Sequence, residues 1–344
     1  MKVFALAVGD RTRASSRLRV WDHLDWLRTQ GHTVRAEHAM PVGAQKITPA
    51  VAWWILSRWP GWVWSLLWAD RVLIQECLLL APVLWLKRLG TRRQVLFDFS
   101  DPVDTIGQGL RNRLQRLGFG LTTGHADHVM VENKSYLDDL RRRGLAASQF
   151  YGPVDAERYG QAAAQVQAGK PAGGPLRIGW TGSPGTLSFI TPLFPALDTL
   201  AQRHAITLML IGVQSVPYTF RHLQVDLVPW TEAGEFEQVP TFDLGLFALD
   251  ESPKSARRGA GKLFVYMASG VPFIATDRGI AHDLMAESGL GFGVPTPADW
   301  GAVLERAIGD TAGRAHMSTA GRQYAMAHMS YQRYRQVLSA DLRL

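Results

Sequence analysis

Apolar runs of five to seven residues recur along this chain, each followed by a longer amphipathic stretch, and that rhythm admits few folds. Short runs apolar on both faces belong in parallel sheets covered by helices, so the alternation predicts an α/β architecture. In the first half, strands are expected at Lys2–Val8, Thr33–His38, Arg71–Gln75, Gln94–Phe99 and His128–Glu132. A helix is expected over Ser16–Gln30, with Leu18, Trp21, Leu24 and Leu27 on one face and Gly31 as its stop. Another is expected over Lys134–Arg143, ending in three arginines as the helix dipole favours. The pattern then restarts, with strands at Leu176–Trp180, Ile206–Ile211, Asp243–Ala248 and Val271–Ala275 and a helix over Ala260–Ser269.

Two alternations imply two doubly wound, Rossmann-like domains, and 344 residues accommodate both. The stretch from Arg158 to Pro175 is poor in large apolar side chains and rich in Ala, Gly and Gln, so it reads as a linker. The expected division is 1–156, a linker over 157–175, and a second domain from 176. Ligands are expected in a cleft between the domains, at strand carboxyl ends. At 47% hydrophobic and 19% charged, each half can bury a core. Cys77 stands alone, which excludes a disulfide framework. Met1 and Lys2 lead straight into a strand without a secretory pattern, so a cytoplasmic location is expected.

Charge separates the halves. Residues 1–155 carry 21 Lys and Arg against 14 Asp and Glu, whereas residues 156–344 carry 16 of each. An anionic partner is therefore expected to meet the first half. That half also holds Trp53, Trp54, Trp59, Trp62, Trp64 and Trp68 in one short segment. Arg58 and Pro60 interrupt the segment, so it is not expected to span a bilayer. Either it is a helix packed into the core, or it dips into lipid to meet a lipid-borne acceptor on the cytoplasmic face.

Strand one ends at Gly9, and Arg11, Arg13, Arg17 and Arg19 follow around the expected start of the first helix. Cations at a helix N-terminus oppose its dipole by roughly 0.3–1 kcal/mol each, a cost that a bound anion would reverse. The loop is thus a candidate anion or acceptor site, with a solvated basic face as the alternative. Asp98 and Asp101 end the run VLFDFSDP, placed either to take a proton from an acceptor hydroxyl or to form a turn before Pro102. In the second half, TGSPGT follows a strand, so the Gly182 turn with Ser183 and Thr186 can present amides and hydroxyls to a diphosphate. Arg257, Arg258 and Lys262 precede or open the next helix, and Trp230 is placed either to line a nucleotide base or to fill the core. His125 and His128 flank Asp127, but no zinc-like ligand spacing accompanies them, and no metal site is expected.

Taken in order, these segments resemble the retaining glycosyltransferases of family GT4, which have the GT-B architecture. The resemblance rests on ASSRLRVWDHLDWLRTQGH, FDFSD, ADHVMVENKSYLDDL, YGPVDAERY, IGWTGSPGT, VPWTEAGEFEQVPTFDLGLFAL, GKLFVYMASGVPFIAT and AGRQYAMAHMSYQRY. It implies a nucleoside diphosphate sugar bound by residues 176–320 and a glycan, lipid-linked or small-molecule acceptor bound by the first domain. It further implies catalysis without metal and a last helix, within 321–344, that returns to the first domain; nucleic acid would explain the basic half but not the two-domain architecture, so no nucleic acid partner is expected. Asp98, Asp101 and Lys262 become the expected catalytic residues. Two positions depart from the family. The paired glutamates that hold sugar and ribose are replaced by Arg257 and Val265, and the Arg and Lys usual after the first turn are missing from TGSPGTLSF. The departures keep two other readings open: a binding or scaffold module with altered catalysis, and a sugar-nucleotide epimerase.

Overall fold

The computed structural model describes residues 1–44, 47–89, 93–104, 109–169 and 173–344. They form two compact units. The first comprises Met1–Pro153, Arg257–Gly259 and Gln332–Leu344; the second comprises Val154–Ala256 and Ala260–Tyr331. Each is built on one parallel six-stranded sheet.

The first unit holds β1 (Lys2–Ala7), β2 (Thr33–His38), β3 (Arg71–Gln75), β4 (Gln94–Phe99), β5 (His128–Val131) and β6 (Ala147–Gln149). Its sheet runs β2-β1-β3-β4-β5-β6. Runs such as Val3–Ala7 and Val95–Phe97 are almost wholly buried because both faces of the sheet are covered. One face packs on α3 (Pro49–Trp68), a 3₁₀ segment at Ala81–Arg88, α4 (Leu110–His125) and α5 (Lys134–Arg142). The other meets α1 (Ala14–Arg19), α2 (Leu24–Thr29) and the end of α13 (Tyr331–Leu342), through Val20, Leu24, Tyr334, Leu338 and Leu342.

The second unit holds β7 (Leu176–Thr181), β8 (Ile206–Ile211), β9 (Gln224–Val228), β10 (Leu244–Phe247), β11 (Phe273–Thr276) and β12 (Phe292–Val294), ordered β12-β11-β10-β7-β8-β9. Its helices are α6 (Ala156–Gly169), α7 (Phe194–Leu200), α8 (Glu232–Gln238), α9 (Gly261–Ser269), α10 (Ile280–Ser288), α11 (Trp300–Gly309) and α12 (Thr311–His328).

Three local expectations are corrected. The single helix over Ser16–Gln30 is broken: α1 ends at Arg19, Val20 leaves helical geometry, and a 3₁₀ turn at Trp21–His23 leads into α2. The stretch read as a linker contains α6, since Ala and Gln favour helix and Tyr159 and Ala163 are buried. Residues 170–172 of that stretch lie outside the described residues. Finally, α3 continues through Arg58 and Pro60; the ring forfeits one backbone hydrogen bond, while Val51, Ile55, Trp62 and Leu66 anchor the helix to the core. Among the described residues no helix is long and apolar enough to cross a membrane.

The 3₁₀ turn carries a pH-sensitive element. His23 is buried, its Nε2 lies 2.7 Å from the Leu18 carbonyl, and Arg335 Nε donates to its Nδ1 at 3.4 Å. That pairing selects the neutral ring, and burial above all pushes its pKa down to about 3. An unfolded chain takes up this proton near pH 6.5, so the stabilisation is complete above that pH and is lost as pH falls toward 3. Chemical unfolding at pH 7 and pH 4 should therefore show about 3 kcal/mol of acid destabilisation from this one group. His23→Gln, which keeps a donor toward Leu18, should remove that share of the pH dependence.

Candidate functional site

In an open parallel sheet ligands collect outside the strand carboxyl ends, where neighbouring connections leave in opposite directions. In the first unit that switch lies between β1 and β3, and in the second between β7 and β10.

At the first switch, the loop after β1 is fastened to β3. Gln75 Oε1 accepts from Val8 N at 3.2 Å and from Ser16 Oγ at 2.9 Å, and Gly9 N donates to Ser16 Oγ at 3.0 Å. Glu76 follows with φ of 52°, a left-handed backbone uncommon outside glycine. Its carboxylate accepts from Ser15 Oγ (3.1 Å), Ser100 N (3.1 Å) and Ser100 Oγ (2.6 Å), tying together the loops after β1, β3 and β4. Asp101 sits beside it and accepts from Gly259 N at 3.2 Å. Burial first, then the charge of Glu76, raises the Asp101 pKa; Arg258 and Arg13 oppose the shift. A carboxyl raised in this way holds its proton more readily than an exposed aspartate does.

The four arginines of this region divide. Arg17 and Arg19 occupy the last turn of α1, where the helix dipole favours cations, so the argument from an unfavourable N-terminus does not apply to them. Arg19 is 2% exposed: Nη1 donates to Asp98 Oδ1 at 2.5 Å and Nη2 to Glu132 Oε2 at 2.8 Å. The Tyr334 hydroxyl lies 2.9 Å from the Arg19 carbonyl and 3.2 Å from Asp98 Oδ2. Burial pushes the Asp98 carboxyl up to about 6 against the pull of Arg19. Arg19 and Asp98 therefore answer each other inside the core, where Asp98 is not open to the acceptor hydroxyl expected for it. Arg17 is buried as well, whereas Arg11 is exposed and pairs with Asp22 at 2.5 Å, and Arg13 is exposed beneath Gly9.

At the second switch, Gly182 opens the loop after β7. A Cβ there would meet the Trp180 ring at 2.5 Å, and one on Gly212, whose φ is +96°, would meet the Gly182 carbonyl at 2.1 Å. Only glycines let the loops after β7 and β8 approach so closely. A Cβ on Gly212 would also lie 3.5 Å from the Trp230 Cβ, so Trp230 borders the same loops. Ser183 and Thr186 begin a short 3₁₀ segment, Pro184–Phe189, and Thr186 spends its hydroxyl on the Ser183 carbonyl at 3.0 Å. The helix of useful length is α9, which starts after Ala260 without a capping side chain. Lys262, in its first turn, holds Nζ 5.5 Å from the Trp180 ring centre. The structure thus brings Gly182, Trp230 and Lys262 together at one end of the β7–β10 pair. Arg257 is directed elsewhere: it donates to Asp104 at 3.4 Å and Asp139 at 3.2 Å and lies over the Tyr136 ring. Among the described residues no cluster of His, Cys, Asp and Glu could hold a metal ion.

No protein-family model matches the chain, and no curated protein sequence matches it. Solved structures do match. Sucrose-phosphate synthase from Thermosynechococcus elongatus superposes with a TM-score of 0.72 at 16% identity, over 99% of this chain and 100% of that one. HepE from Anabaena, solved with UDP and glucose, gives 0.67 at 14% identity over 100% and 99%. WaaG, a glycosyltransferase of lipopolysaccharide biosynthesis, gives 0.63 at 16% identity over 99% of each chain.

The fold is GT-B.

In this GT-B chain Ser15, Ser100, Glu132 and Tyr334 joined the candidate region, with Glu76, and these four had no local signal. Their partners lie as far as 315 residues away, from Tyr334 to Arg19, and only the sheet order brings them together. Glu76 alone had a readable cue, as a carboxylate directly after an apolar strand beside the β1 loop.

Proposed function

We propose that this chain transfers a glycosyl group from a nucleoside diphosphate sugar to an acceptor hydroxyl. The observation that carries the reading is the gathering of the Gly182 turn, Trp230 and Lys262 with the start of α9 at the second switch point. Lys262 and the amide-rich loop and helix start neutralise the departing diphosphate, the main electrostatic task of such a reaction. The bond between the anomeric carbon and the diphosphate oxygen breaks while a bond to the acceptor oxygen forms. The acceptor proton passes to the leaving phosphate, so retention of configuration without metal, as in GT4, needs no strong protein base. Asp101, with its raised pKa, stands in the first unit as a hydrogen-bonding partner that orients the acceptor hydroxyl. The acceptor is a glycan, lipid-linked or small molecule, and the Trp-rich helix α3 is the contact with a membrane carrying it.

HepE was solved with UDP-glucose, which makes UDP-sugars the first donors to try. Thermal denaturation with UDP-, GDP- and dTDP-sugars tests the donor site. At one hundred times its dissociation constant the right donor adds about 2.7 kcal/mol, raising the midpoint by roughly 5–10 °C. A flat response to all of them, with no turnover, removes the proposal. A second reading follows from Arg257 and Val265 standing where GT4 enzymes carry glutamates, with Arg257 engaged by Asp104 and Asp139. Under it the chain binds nucleotide but does not turn over, and a thermal shift without product distinguishes that case.

A further inference from the structure

Of the chain's 30 Asp and Glu residues, none falls in 39–69, 77–97 or 105–126, although these segments carry nine Lys and Arg. Their described helices, together with α5, which carries Asp138 and Asp139, build one side of the first unit. Helix α3, the 3₁₀ segment Ala81–Arg88 and α4 cover the same sheet face through one core cluster that includes Val51, Trp62, Leu84 and Phe119. Their inward residues serve that core. Their outward residues are unusual: Trp53, Leu56 and Trp64 on α3 are 74%, 66% and 66% exposed. Trp85 on the 3₁₀ segment and Leu114 and Leu117 on α4 are each more than half exposed. Trp53, Leu56 and Trp64 recur at helical spacing, as do Leu114 and Leu117, so each helix presents an apolar stripe to the outside. Arg88, Arg111, Arg113 and Arg116 are exposed beside the stripes.

We infer that this face docks onto an anionic lipid surface, with the tryptophan and leucine side chains in the interface and the α4 arginines against the headgroups. The inference deepens the membrane contact proposed for α3 and rests on that reading; it does not depend on the transfer chemistry. Exposed apolar stripes gain by entering the headgroup boundary, and tryptophan has its preferred place there. The absence of carboxylates from α3, the 3₁₀ segment and α4 has its explanation in the same surface, because an acid on these elements would be repelled by anionic lipid. A second copy of the same face would set arginines against arginines, which disfavours a symmetric dimer. A nucleic acid would meet the arginines but leave the leucines and tryptophans without an apolar phase.

Co-sedimentation of the full chain with vesicles tests this, using phosphatidylcholine alone and phosphatidylcholine with one third phosphatidylglycerol. Binding is expected on the anionic vesicles, weakening as salt rises. Each cation near such a surface is worth about a factor of five, so Arg111→Gln/Arg113→Gln/Arg116→Gln should lower the partition coefficient on the order of 100-fold. Trp53→Ser/Trp64→Ser should lower partition to both vesicles; the replaced side chains are exposed, and unchanged circular dichroism checks that the variant folds. Equal binding to both vesicle types, or an unaffected arginine variant, overturns the anionic docking while leaving membrane contact through α3 standing. Binding to neither vesicle overturns both, as does concentration-dependent dimerisation abolished by Trp53→Ser/Trp64→Ser. Binding to a DNA duplex at 150 mM salt without vesicle binding assigns the face to nucleic acid and overturns both as well.

Discussion

Replacing Arg19 with alanine is expected to cost the first unit about 3–5 kcal/mol, enough to leave a large share of the protein unfolded near physiological temperature. The magnitude follows from what remains behind. Asp98 and Glu132 are 0% and 3% exposed, and without the guanidinium two carboxylates face each other with no water to hydrate them. They would have to bind protons or open the core, and either route consumes stability. Tyr334→Phe removes one hydroxyl from the same network and leaves the ion pairs intact, so its cost should be smaller, about 1–3 kcal/mol. Urea unfolding of the two variants checks the ranking. Equal losses, or an Arg19→Ala protein as stable as the parent, would show that the network is hydrated.

Lys262→Ala is expected to lower kcat/KM by about 10²–10³-fold once the donor is identified, since it removes a full positive charge from the place assigned to the diphosphate. The stability cost should be modest, about 1 kcal/mol from its contact with Trp180, because Lys262 is only partly buried. Lys262→Arg, which keeps the charge but changes its shape, should recover part of the loss. Steady-state kinetics on the three proteins separate a chemical role from a binding one. A fall confined to KM means that donor and transition state are held equally, and unaltered kinetics would remove Lys262 from the reaction.

The strands were legible because parallel sheets demand residues apolar on both faces. The Val3–Ala7 and Ile206–Ile211 runs have no competing reading, and their boundaries came out nearly as expected. β6 and β12, three residues each, are too short to show a period, and β9 exposes part of its length as an edge strand. The α6 segment was misjudged from composition, since the small residues that suggest a tether are also good helix formers. At the candidate site, glycine and lysine positions could be read locally, because a tight turn and a helix start are local events. The partners of Arg19 could not. Glu132 and Tyr334 are far from it in sequence, and no spacing rule connects residues that only the sheet order makes neighbours.

Residues 332–344 complete the first unit, yet they follow all of residues 154–331 along the chain. Leu338 and Leu342, both fully buried, and the Tyr334 hydroxyl cannot reach their places until the ribosome has finished the intervening unit. A nascent chain halted at residue 331 would hold every strand of the first sheet but expose Ala5, Leu73 and Met130 on one side of it. The usual vectorial order, amino-terminal part first, is therefore inverted at the final step: the contiguous middle of the polypeptide can mature while its beginning waits for its tail.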